Sequence, residues 1–230
     1  MDAVSRSETI RKRLEKEFGR PDNDVLEDPM AALVNTILSQ NTTDVTSDRA
    51  YVALRERYPT WEKLLGADPT ELASTIRVGG LPRIKADRII GALAEIKRQT
   101  GRLSLDFLHE MTEKEADEWL SQLKGVGPKT RAIIILFGLG KKAFPVDTHI
   151  SRVTQRIGLV RNGASREEAQ ERMASLSRPA DYFSYHINLI EHGRKTCSAR
   201  NPKCPACLLS DICIWPEKVK YGWKPMRKGR

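Results

Sequence analysis

Three stretches of this 230-residue chain combine residue types and spacings that could do chemistry. The first is Leu123-Lys124-Gly125-Val126-Gly127-Pro128-Lys129-Thr130, running into the apolar Ala132-Ile133-Ile134-Ile135-Leu136-Phe137. Two glycines one residue apart allow a turn that side chains would obstruct, and Pro128 suits the first position of a helix. The apolar run alone could be a buried strand; the turn before it decides for a helix. That helix points its first N–H groups, unpaired, at whatever anion approaches, and Lys129 sets an ammonium beside them. The stretch reads as the hairpin of a helix-hairpin-helix gripping a phosphate backbone, against the plainer reading of two helix-capping glycines. The second stretch is Val146-Asp147-Thr148-His149, whose Asp147 would cap a following helix and could also supply a carboxylate.

The third is the cysteine window Cys197-x6-Cys204-x2-Cys207-x5-Cys213, which holds all 4 cysteines of the chain. Nothing in the sequence suggests export, so a disulfide framework is disfavoured and a metal site is the better reading. Zinc sites usually pair Cys-x2-Cys knuckles. Here only Cys204 and Cys207 have that spacing, and single cysteines at longer reach suit an iron–sulfur cubane. Ligand count alone leaves both open.

The elements that must position these groups read as helices. Apolar periodicity predicts helices from Ser7 to about Phe18, Met30 to about Ser39, Val45 to about Tyr58, Trp61 to Leu65, Thr70 to Ile76 and Ile84 to Thr100. More follow from Thr112 to about Leu123, after Pro128, after Asp147, from Ser165 to Leu176 and from Pro179 to His192. No alternating strand pattern of useful length occurs, so the fold class is all-α. The net charge of +9, from 39 Lys plus Arg against 30 Asp plus Glu, favours a polyanionic partner. Lys218, Lys220, Lys224, Arg227, Lys228 and Arg230 crowd the end, either as a nucleic-acid contact or as a solvated tail. No apolar run is long enough to span a membrane, and Met1 to Arg6 lacks an apolar signal core, so the expected location is cytoplasmic.

Together, the hairpin, Val146-Asp147-Thr148-His149 and the cysteine spacing resemble the endonuclease III family over roughly residues 8 to 213. That family comprises DNA glycosylase/AP lyases of the helix-hairpin-helix superfamily. The resemblance implies two helical lobes, a six-helix barrel over 25–135 with the hairpin, and an iron–sulfur domain from 1–24 plus 136–230. It places a DNA-binding cleft between them and a 4Fe–4S cluster on Cys197, Cys204, Cys207 and Cys213. The implied partner is double-stranded DNA with damaged bases or abasic sites, acted on by a monomer in the nucleoid. Lys129 matches the catalytic lysine, whose amine can attack C1′ of a flipped nucleotide and leave a Schiff base that a hydroxyl could not form. Asp147 matches the catalytic aspartate, placed to stabilise developing oxocarbenium charge.

By the same likeness Gly125, Val126 and Gly127 contact phosphate and Leu81 is the intercalating wedge. Asn41 stands where family members carry a gap-filling glutamine, with Gln40 one place earlier, so which of the two fills the gap stays open. Arg200 and Lys203, inside the cysteine loop, are expected on DNA phosphate, and His149 as a hydrogen-bonding rather than catalytic residue. Pro128 replaces a common arginine and Lys124 a common proline, and neither removes a hairpin N–H. The expected activity is removal of oxidised pyrimidines with strand cleavage by β-elimination. Alternatives are a monofunctional mismatch, uracil or adenine-mismatch glycosylase, which usually lacks the lysine, and a non-catalytic DNA-binding iron–sulfur protein.

Overall fold

Short polar residues set most of the helix starts. Asp2, Asp28, Thr43, Thr60, Asp68, Thr112, Asp147 and Ser165 each accept a hydrogen bond from an N–H of the turn that follows, which satisfies donors that helix geometry leaves orphaned. The computed structural model describes residues 2–21 and 28–224, and among them there is no strand. The α-helices are α1 (Ala3–Phe18), α2 (Pro29–Ser39), α3 (Asp44–Arg57), α4 (Trp61–Leu65), α5 (Pro69–Thr75), α6 (Pro82–Thr100), α7 (Glu113–Leu120), α8 (Pro128–Ile133), α9 (Thr148–Arg156), α10 (Arg166–Leu176) and α11 (Tyr182–Lys195). None is long and apolar enough to cross a membrane.

The chain forms two compact units, a central one of Asp24–Lys141 and a terminal one joining Met1–Asn23 to Lys142–Arg230. In the central unit α2 is the core rod. Met30, Ala32, Leu33, Val34, Ile37 and Leu38 are all buried, and a helix apolar on every side belongs inside its neighbours. It packs on α3, α6, α8 and the turn after α8, and delivers its C-terminal end, with Gln40 and Asn41, to the surface. In the terminal unit α11 packs on α1 and α9. Phe144 makes edge contacts with Tyr182 and Tyr185 there, and Arg11 of α1 ties Glu8, Glu15 and Asp181 into one network.

The structure moves several expected boundaries. Helix α1 begins at Ala3 rather than Ser7, because Asp2 caps it through the Ser5 N–H at 2.9 Å. Helix α7 stops at Leu120, and the stretch to Leu123 tightens into i→i+3 bonds that feed the hairpin. The Ile-Ile-Leu run is helical but widens after Ile133 into a π turn over Ile134–Gly138, where the Leu139 N–H bonds the Ile134 carbonyl. The boundary near residue 24 and the tail residues Arg227, Lys228 and Arg230 lie outside the described residues.

Candidate functional site

In the central unit the hairpin is built by Gly125, which takes φ +85° and so a conformation that side chains resist. A β-carbon there would also lie 3.2 Å from the Arg88 side chain. Val126 bonds back to the Leu123 carbonyl and is buried, and the Arg131–Asp117 ion pair at 2.8 Å ties α8 to α7 behind the turn. Helix α8 then starts at Pro128 with Gly127 before it and no side-chain cap, so its leading N–H groups remain for an outside acceptor. Lys129 is half-buried on that first turn. Among the described residues its ammonium makes no hydrogen bond or ion pair.

Asn41 and Leu81, the expected gap-filler and wedge, share a conformation. Among the described residues they are the non-glycine positions with positive φ, at 55° and 50°. Asparagine tolerates this region, whereas a branched apolar side chain pays for it. Such strain clusters where a surrounding structure holds it for a purpose. Leu81 is 47 % exposed at the uncapped start of α6, with Pro82 behind it. Gln40 is committed elsewhere. Its amide oxygen accepts from Arg88 Nη1 and its Nε2 reaches the Gly125 carbonyl at 3.5 Å, while Asn41 is exposed.

Two α6 residues that sequence reasoning did not single out organise this region, Arg88 and Lys85. Arg88 donates to Gln40, which in turn reaches the Gly125 carbonyl, and the Arg88 side chain lies beside Gly125. Lys85 is 1 % exposed and donates to the carbonyls of Leu38 at 2.5 Å and Gly79 at 2.7 Å. Burial, then the Arg88 charge, pulls its pKa below the usual lysine value. The signal was present, since Lys85 heads the buried stripe Ile89, Ala92, Ile96 of α6, where a charge is out of pattern.

In the terminal unit Asp147 caps α9, its Oδ1 accepting from the Ile150 N–H at 2.8 Å. A carboxylate so used keeps acceptor capacity for further partners. His149 Nδ1 accepts from Arg152 Nη2 at 3.1 Å, the hydrogen-bonding role expected of it. Arg152 and Arg156, also on α9, pin the cysteine loop. Arg152 Nε donates to the Cys197 carbonyl at 2.9 Å, and Arg156 donates to the Ser198 and Ala199 carbonyls and lies 3.8 Å over the Trp215 ring. With its backbone held, the loop leaves Arg200 and Lys203 exposed.

Cys197, Cys204, Cys207 and Cys213 are all free thiols and line one pocket with Arg156, Trp215 and Lys218. Burial, more than the other three cysteines nearby, pushes the Cys207 thiol up to about 12, and burial also raises Cys204 and Cys213. The Leu209 N–H points at Cys207 Sγ at 3.4 Å. Lys218, read from sequence as part of a basic tail, belongs here instead. It is buried, bonds the Ser210 and Cys213 carbonyls at 2.8 and 2.6 Å, and lies 3.7 Å over Trp223.

A family model described as HhH-GPD superfamily base excision DNA repair protein matches residues 34–179. A protein of Arabidopsis thaliana named as a DNA glycosylase is 35% identical over 75% of this chain, which spans 58% of that protein's length. The endonuclease III of Thermotoga maritima is 32% identical over 206 residues, 90% of this chain and 91% of that one. Among solved structures, a trapped endonuclease III–DNA covalent intermediate in an estranged-adenine complex superposes with a TM-score of 0.81 at 27% identity, covering 96% of this chain and 99% of that one.

Proposed function

The chain belongs to the HhH-GPD superfamily of base excision DNA repair proteins and, within it, to the endonuclease III family, and from that premise we propose that it frees oxidised pyrimidines from double-stranded DNA and cuts the strand through a Lys129 Schiff base. It is a base excision repair DNA glycosylase/lyase. The hairpin N–H groups of Gly125 to Gly127 and the exposed Arg200 and Lys203 grip phosphate, a contact that positions the enzyme without reading sequence. The damaged nucleotide leaves the stack. Leu81 enters the duplex as a wedge and Asn41, rather than the committed Gln40, occupies the vacated space. The observation that carries this reading is that Leu81 and Asn41 are the two described non-glycine residues held at positive φ.

At the exposed sugar the neutral amine of Lys129 donates its lone pair to C1′. The C1′–N bond breaks, its electrons leave with the base, and the base takes up a proton. As the sugar opens and the amine loses its protons, C1′ becomes an imine carbon. Loss of a C2′ proton then expels the 3′-phosphate, completing β-elimination. Asp147 stabilises the positive charge that develops on the sugar and assists the proton transfers. Its capping bond to Ile150 holds the carboxylate in place for this.

The cysteine pocket fits a 4Fe–4S cluster on Cys197, Cys204, Cys207 and Cys213. The donor set is all sulfur, the four thiols line one pocket, and an N–H already points at one of them. When bound, the cluster supplies a cross-link that stiffens the loop bearing Arg200 and Lys203. Nicking of duplex oligonucleotides, each with one lesion, tests the substrate assignment. Oxidised pyrimidines should be cut without alkali, and faster than uracil opposite guanine. Base release that yields a nick only after alkali would make the enzyme monofunctional, and inertness on every lesion would make it a binding protein.

A further inference from the structure

We propose that Lys85 is a positioning residue for nucleotide flipping, its buried ammonium joining the turn that carries Asn41 to the turn that carries Leu81. The inference rests on the flipping role given above to those two residues. Leu38, whose carbonyl takes the first Lys85 bond, lies three residues before Asn41. Gly79, whose carbonyl takes the second, lies two residues before Leu81. Both carbonyls belong to the last turn of a helical segment, α2 in one case and the 3-10 turn Arg77–Gly79 in the other. Helix ends leave carbonyls without intrahelical partners, and one ammonium serves both ends here.

The packing leaves little slack around that bridge. Lys85 is 1 % exposed, and a β-carbon on Gly79 would sit 3.1 Å from the Ala50 β-carbon. A buried ammonium is costly, and an apolar side chain of similar volume at such a place is often neutral or better for stability. What an apolar side chain cannot do is hold two carbonyls at a set separation. The carbonyls it holds adjoin the two described non-glycine residues that sit at positive φ. Arg88, one turn further along α6, adds the tie to Gln40 and the hairpin. Two cations on one helix face therefore position the wedge turn, the gap-filling turn and the phosphate grip. Neither touches the reacting atoms.

The test compares base release under single-turnover conditions from the same lesion in a paired duplex and in an unpaired bulge. A fluorescent adenine analogue next to the lesion reports unstacking separately. Lys85→Met should lose at least about tenfold more on the paired lesion than on the bulged one, the scale of one charged buried hydrogen bond. The unstacking signal should fall in parallel. Lys85→Gln, which keeps N–H donors, should recover part of that ratio and serves if Lys85→Met does not fold. Equal losses on both substrates for a folded variant, or an unchanged unstacking signal, would overturn the inference and leave Lys85 a packing residue. Wild type that releases no base from either substrate would instead overturn the functional reading on which this rests.

Discussion

Leucine in the left-handed region costs about 1–2 kcal/mol, yet Leu81 is held there at φ 50° with its side chain 47 % exposed. Stability alone would favour another residue at this place. Leu81→Gly should therefore leave the thermal midpoint unchanged or raise stability by up to about 1 kcal/mol, while activity on a paired lesion falls and activity on a bulged lesion largely persists. A lowered midpoint, or equal losses on both substrates, would mark Leu81 as ordinary packing. Asp147 gives the converse case. Asp147→Asn keeps an N-cap and loses the charge, so fold and DNA binding should persist while turnover collapses; Asp147→Ala should add a stability loss of about 1 kcal/mol. If the asparagine variant turns over like wild type, Asp147 is a cap and nothing more. The hairpin turn, the Asp147 cap and the cysteine pocket were legible because glycine, proline, aspartate and cysteine at set spacings carry their physics with them. The roles proposed for Leu81 and for the Asp147 charge came instead from the family resemblance. Lys85 and Arg88 were less legible, since their work is defined by backbone carbonyls and a neighbouring side chain supplied from distant parts of the chain.

Helix existence was readable from apolar period and caps, and helix ends less well. Trp61–Leu65 came out as read because Thr60 and Gly66 bound it. The start of α1 was read four residues late, since Asp2 is an ordinary acidic residue until its oxygen is seen on the Ser5 N–H. The π turn over Ile134–Gly138 has no signature in an isoleucine run. Within α1, Glu8 offers a test at this scale. Its hydrogen bond to Arg11, before any charge effect, depresses its pKa to about 2 from 4.5. A carboxylate depressed in the fold contributes stability that is whole above its unfolded pKa and is lost as pH falls through the folded one. The thermal midpoint of Glu8→Gln should thus lie below wild type at pH 6, and the gap should close between about pH 4.5 and 2. Because Glu8 is 36% exposed, the gap should be small and shrink with salt. A gap that widened in acid would contradict the assignment.

The whole molecule divides its tasks between two units. The central unit carries Leu81, Asn41, the Gly125–Gly127 turn and Lys129, all arranged around α2 and α6. The terminal unit carries Asp147 and a cysteine loop that α9 arginines hold from behind. The basic excess lies in the terminal unit, with 23 Lys plus Arg against 13 Asp plus Glu, while the central unit holds 16 against 17, so attraction for a polyanion belongs chiefly to the terminal unit. Composition and spacing made the all-α class and the cysteine pocket legible, while the burial of Lys218 in that pocket depended on how the chain's end folds back. The central claim is that Lys129 becomes covalently joined to the sugar during turnover. Borohydride added to enzyme turning over an oxidised-pyrimidine duplex should reduce the imine and yield a stable protein–DNA adduct, with the cross-link mapped to Lys129 and absent from Lys129→Gln, which still binds duplex through the hairpin. Base release by wild type with no trapped adduct, or an adduct that survives in Lys129→Gln, would contradict it.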